Sequence, residues 1–112
     1  MTSRLLSADV LAEGLPEELP AGDTVLSGDP GARLAALLDT TAGGVGLWEM
    51  TPGVAQDVED DEAFLVLAGS GSVAFEDGEV LELRPGVLVR LTAGERTTWT
   101  VASTLRKLYV AL

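Results

Sequence analysis

Histidine and cysteine are both absent from the 112 residues of this chain. Without them no Ser–His–Asp or Cys–His nucleophilic triad can be built, and no disulfide framework can form. The usual donors for zinc and non-haem iron are also missing. Acid–base chemistry is left to carboxylates, lysine and tyrosine, and no cofactor is expected. Basic residues are scarce: 7 Lys and Arg stand against 18 Asp and Glu, a net charge of −11. Such a field repels nucleic-acid phosphates and anionic lipid, and no Lys/Arg cluster offsets it, so neither nucleic acid nor membrane is expected as a partner. No apolar run approaches a membrane span. The stretch from Met1 to Leu15 is broken by Ser7 and Asp9 and reads too weakly for a signal peptide. A cytoplasmic protein is expected.

Aromatic residues make up only 4% of the chain, but hydrophobic residues make up 46%, so Leu, Val and Ala must fill most of the core. The length suits a single domain. Residues 1–22 read as a lead-in that packs on the domain or on a partner, with Pro16 and Pro20 stopping any helix around Glu17-Glu18-Leu19. Residues 23–112 form the domain. Ser27-Gly28-Asp29-Pro30-Gly31 is a dense turn signal. The helix formers of Ala32–Asp39 predict a short helix there, with a strand as the alternative.

From Gly43 onward the pattern is β. Val45–Thr51 is a strand ending at Pro52-Gly53. Phe64–Ala68 is an apolar run of buried-strand length closed by Gly69-Ser70-Gly71. Ser72–Glu76 and Glu79–Leu83 flank Asp77-Gly78, a hairpin turn signal. Val87–Leu91, Thr97–Val101 and Leu105–Leu112 follow, separated by Pro85-Gly86 and Ala93-Gly94-Glu95. Turns at such short intervals predict an all-β antiparallel sandwich or barrel.

These turns resemble those of the cupin family of jelly-roll β-barrels. Glu62, then Ala63 to Ala68, then Gly69 matches the end of the first cupin motif. Gly86, five residues, and Thr92-Ala93-Gly94 match the second, with Thr92 in place of proline. Ser27-Gly28-Asp29-Pro30, Gly46-Leu47-Trp48-Glu49, Thr98-Trp99 and Arg106-Lys107-Leu108-Tyr109-Val110 are similar to the small cupins related to (S)-ureidoglycine aminohydrolase. The resemblance implies a metal bound by histidines near Ala55–Val58, by Glu62, and by a histidine at the position of Thr97. Of that set only Glu62 is present, so a metal-free barrel is expected. The acidic run Asp57, Glu59, Asp60, Asp61, Glu62 fails the calcium-loop pattern, because Glu62 stands where glycine is needed and Ala68 where the closing glutamate is needed. It reads as a solvated loop.

Side chains alternate faces along a strand. Glu62, Phe64 and Val66 therefore share one face, as do Thr97, Trp99 and Val101, and as do Lys107 and Tyr109. The expected ligand-binding set is Trp48, Glu62, Thr97, Trp99, Lys107 and Tyr109, with Glu62 and Tyr109 as the candidate catalytic pair. Lys107 can pair with Glu62, anchor a carboxylate ligand, or snorkel at the rim, and the aromatics can equally be core filler. The outward rows Leu65/Leu67 and Leu108/Val110/Leu112 need cover, by the lead-in on one face and by a second subunit on another, so a homodimer is expected. The expected function is a metal-free cupin binding a small polar or anionic metabolite in its barrel. The alternatives are an aminohydrolase- or isomerase-like enzyme using Glu62, Lys107 and Tyr109, and a non-catalytic structural or regulatory homodimer.

Overall fold

The computed structural model describes residues 4–112, and the first three residues of the lead-in lie outside it. The described chain is entirely β: β1 (Glu17–Pro20), β2 (Thr24–Gly28), β3 (Gly31–Thr40), β4 (Gly43–Met50), β5 (Gly53–Val58), β6 (Glu62–Phe75), β7 (Val80–Leu83), β8 (Leu88–Leu91) and β9 (Arg96–Ala111). Every pairing is antiparallel. No helix among the described residues is long and apolar enough to cross a membrane.

Two long strands, β6 and β9, build the barrel by belonging to both of its sheets. The first half of β6 and the second half of β9 pair with each other and with β8 and β4, and β3 and β1 extend that sheet beyond β4. The second half of β6 and the first half of β9 pair with each other and with β7 and β5, and β2 extends that sheet beyond β5. The register of β6 on β9 shifts between Val66 and Ala68, between Ala68 and Ser70, and between Ser70 and Gly71. Such bulges add local twist and bend a strand, and here they carry both strands from one sheet to the other. Gly69-Ser70-Gly71, expected to end a strand, instead lies inside β6, and what read as two final strands is the single strand β9. The Asp77-Gly78 turn is present between β6 and β7: Gly78 has φ +95° and the Asp77 carboxylate accepts from the Glu79 amide at 2.9 Å.

The expected helix at 32–39 is strand β3, paired with β1 on one side and β4 on the other. Its buried positions Ala32 and Ala35 and its pairing partners outweigh the helix preference of Ala, Leu and Arg, which amounts to only a few tenths of a kcal/mol per residue. β2, whose last two residues Ser27 and Gly28 fall in the stretch read as a turn, is an exposed edge strand.

Between the sheets lies the main core, with Phe64, Val66, Val73, Leu83, Leu91, Trp99 and Leu105 among its buried members. A second cluster sits on the outside of the β3–β4 sheet. There Leu15, Ala35 and Leu47 are buried, with Val10, Leu37, Leu67 and Leu108 packed on them. The chain's own N-terminal segment thus covers Leu67 and Leu108.

That segment is held by Arg106. Its guanidinium pairs with Glu49 at 3.0 Å and donates to the carbonyls of Val10 and Glu13, both at 2.9 Å. Removing it strands two carbonyls and a half-buried carboxylate. Arg106→Ala is expected to cost about 2–3 kcal/mol, read by urea denaturation, and to open residues 4–15 to limited proteolysis. An unchanged digestion pattern would show that Leu15 and Val10 hold the segment without it.

Candidate functional site

A cavity of about 280 Å³ opens at the end of the barrel crossed by the loop from β5 to β6. Five of the six expected ligand-binding residues line it: Trp48 from β4, Glu62 from β6, and Trp99, Lys107 and Tyr109 from β9. Strand register brings them together. Trp48 lies opposite Lys107, Val66 opposite Lys107, and Phe64 opposite Tyr109.

Lys107 is the centre of the arrangement. It is only 5% exposed. Its Nζ donates to Glu62 Oε2 at 2.6 Å, and it lies 4.7 Å from the Trp48 ring centroid, 4.5 Å from Phe64 and 4.9 Å from Trp99. The rings are mutually tilted, with Trp48 and Phe64 each 5.5 Å from Trp99. Ring faces attract a cation most where water is excluded. The ammonium therefore has a carboxylate on one side and aromatic faces around it, rather than the snorkelling position at the rim.

Trp99 is fixed from behind. Its indole N–H donates to Glu59 Oε2 at 3.0 Å and to the Thr97 hydroxyl at 3.1 Å, and Thr97 donates to the same Glu59 oxygen at 2.6 Å. Thr97 is therefore buried beside the site and does not line this cavity. It borders a second one of about 230 Å³, which shares Asp57 and Val58 with the first. Glu59 went unrecognised in the sequence because it lies in an acidic run that read as solvated. The structure corrects that reading for Asp57 and Glu59, while Asp60 is exposed in the loop. Asp57 lies within strand β5, Glu59 is half-buried, and the loop is tied down by backbone bonds between Glu59 and Glu95 and between Gly94 and Glu59, both at 2.9 Å. Alternation carried one residue past β5 was the signal that could have found Glu59, since it puts Glu59 on the same side as Ala55 and Asp57, which the structure shows to be the buried one.

Burial pushes the Asp57 carboxyl above its ordinary range, against the hydrogen bond from the Val58 amide and with help from neighbouring Glu59 and Asp23. Burial likewise raises the Tyr109 phenol, with Glu62, Asp39 and Glu17 adding to it.

The donor set does not suit a metal ion. Ala55 offers no ligand atom, the Thr97 hydroxyl is spent on Glu59, and Glu62 is spent on Lys107. Among the described residues no group of three or more Asp or Glu could hold an ion.

Two antiparallel sheets sharing bent strands, with a polar cavity at one end, define a cupin barrel. The model of the EutQ-like cupin domain matches residues 39–109, and the chain belongs to that family. Solved structures share the fold. The Clostridium difficile EutQ protein is 18% identical with a TM-score of 0.75, over 93% of this chain and 83% of that one. An ethanolamine utilization protein Q from Salmonella typhimurium is 23% identical with a TM-score of 0.60, over 73% and 68%. The polyketide cyclase RemF from Streptomyces resistomycificus is 21% identical with a TM-score of 0.66, over 99% and 79%. No curated protein matches the sequence.

Proposed function

We propose that the chain binds a small polar metabolite in the cavity above Lys107, and that the bound molecule carries a positive charge. One observation supports this reading of the ligand's charge. The lining holds Asp57, Glu59, Asp60, Asp61 and Glu62 against a single cation, Lys107, which Glu62 already neutralises. An anionic ligand would enter against four further carboxylates. A cationic one would find Asp57 and Asp60, which have no ion pair among the described residues, beside the Trp48 and Trp99 faces. The Tyr109 hydroxyl and the remaining Lys107 N–H groups suit an oxygen on the same molecule. A small amino alcohol combines both features. The name of the Salmonella neighbour, an ethanolamine utilization protein, makes ethanolamine the first probe.

The test is a thermal-shift series with ethanolamine, glycolate and ethylene glycol, which share a size and differ in charge. At about 100 times its Kd a ligand adds about 2.7 kcal/mol of stability by mass action, a shift of roughly 10 °C or more for a domain of this size. Ethanolamine is expected to give that shift. Asp57→Asn is expected to reduce it, and so is acidification, because a protonated Asp57 no longer attracts the amine. A larger shift with glycolate would sink the assignment.

A second reading is an aminohydrolase- or isomerase-like enzyme. It is favoured by Glu62, Lys107 and Tyr109 lining one cavity and by a neighbour described as a polyketide cyclase. On that reading Glu62→Gln abolishes turnover, whereas binding without chemistry survives it in weakened form.

A further inference from the structure

We infer that Trp48, Phe64, Trp99 and Glu62 form an ammonium-binding box, and that its permanent occupant is this chain's own Lys107. The resemblance to cupins implies a bound ion at Glu62. The residues present do not supply its ligands, and the carboxylate that remains is in contact with a covalently attached cation instead. The box has the parts a free alkylammonium would need: three ring centroids within 4.9 Å of the nitrogen and a carboxylate oxygen at 2.6 Å. Each ring is held in place. Trp99 is tethered through its indole N–H to Glu59 and Thr97, Phe64 is buried in the core, and Trp48 packs on Trp99. Three aromatic faces around one nitrogen are a recurring way of recognising a cation through the ring quadrupole. The tether makes occupancy independent of any ion in solution, and it closes Glu62 to metal. None of this depends on whether the cavity above the box takes a ligand.

The test is chemical rescue. Lys107→Ala removes three methylenes and the ammonium, which together amount to n-propylammonium. The variant is expected to lose roughly 10 °C or more in melting temperature, given 4–8 °C per kcal/mol for a domain of about this size. Tens of millimolar n-propylammonium chloride is expected to restore several degrees, and equal concentrations of 1-propanol or sodium chloride are not. Adding Trp48→Leu to Lys107→Ala is expected to abolish the rescue, whereas adding Asp60→Asn is not, which separates the box from the acidic rim above it. If Lys107→Ala does not fold, the wild-type chain carries the test. There the Lys107 ε-methylene protons are expected to resonate well upfield of those of exposed lysines, under the ring currents of three aromatics. Random-coil shifts for those protons would overturn the assignment. So would rescue by propanol equal to that by propylammonium, or a divalent ion bound by the wild-type chain and lost with Glu62→Gln.

Discussion

Glu62→Ala is expected to destabilise the protein by about 3–5 kcal/mol, the range for removing one member of a buried ion pair. The pair has the geometry for it: 2.6 Å between Lys107 Nζ and Glu62 Oε2, with side-chain exposures of 6% and 18%. An exposed pair would contribute at most about 1 kcal/mol, so the measured loss decides between a buried and a surface regime. The Trp48, Phe64 and Trp99 faces around Lys107 remain when Glu62 is gone. They keep part of the ammonium's stabilisation, at about 2 kcal/mol for a desolvated contact, and place the loss toward the lower end of the range. The paired change Glu62→Leu with Lys107→Met removes both charges. It is expected to recover most of the stability, because a buried pair replaced by apolar groups of similar volume is often neutral. Urea denaturation of the two singles and the double gives the coupling directly. Near-additive losses would mean that Lys107 and Glu62 do not stabilise each other.

The candidate site was legible where it rests on strand alternation alone. Glu62 with Phe64 and Val66, Trp99 with Thr97 and Val101, and Lys107 with Tyr109 each follow from a period of two. Once Glu62 is taken as facing the lumen, the rest fall into place. The Asp77-Gly78 hairpin was legible because its signal is local. What could not be read depends on partners far away in the chain. Glu59 looks like one more solvated acid until β5 and β9 pair and bring Thr97 and Trp99, 38 and 40 residues later, onto its carboxylate. Residues 32–39 carry a helix-forming composition, and only the β1 and β4 neighbours make them a strand. That the lead-in covers one outward apolar row was legible, but not which residues it meets: Val10 and Leu15, pinned by Arg106, pack in one cluster with Leu67 and Leu108.

Gly69→Ala is expected to be the most damaging small substitution in the protein, costing more than about 4 kcal/mol, beyond what ordinary point changes do. Its φ is +89°, where a side chain is strained. A Cβ there would also meet the Thr104 carbonyl oxygen and come within 2.7 Å of Leu105 Cα, backbone atoms of the facing strand that cannot swing aside. Gly78→Ala is the control. Its φ is +95°, yet a Cβ there meets nothing within 4 Å, so it bears only the conformational cost of about 1–2 kcal/mol. The difference between the two, measured by urea denaturation, isolates the close approach of β6 to β9 at the bulge. That approach matters for the site as well as for the fold. Below Gly69, β6 carries Glu62 and Phe64 to Lys107; beyond it, Val73 lies opposite Trp99. One strand therefore reaches both the ammonium and the ring behind it only because it bends at Ala68–Gly71. A partly folded Gly69→Ala chain is expected to lose the tilted contact between Phe64 and Trp99 and with it the near-ultraviolet dichroism of the tryptophans. Retention of that signal together with a loss below about 2 kcal/mol, no more than the positive-φ cost alone, would show that β9 yields at Thr104 and that the bend does not depend on glycine.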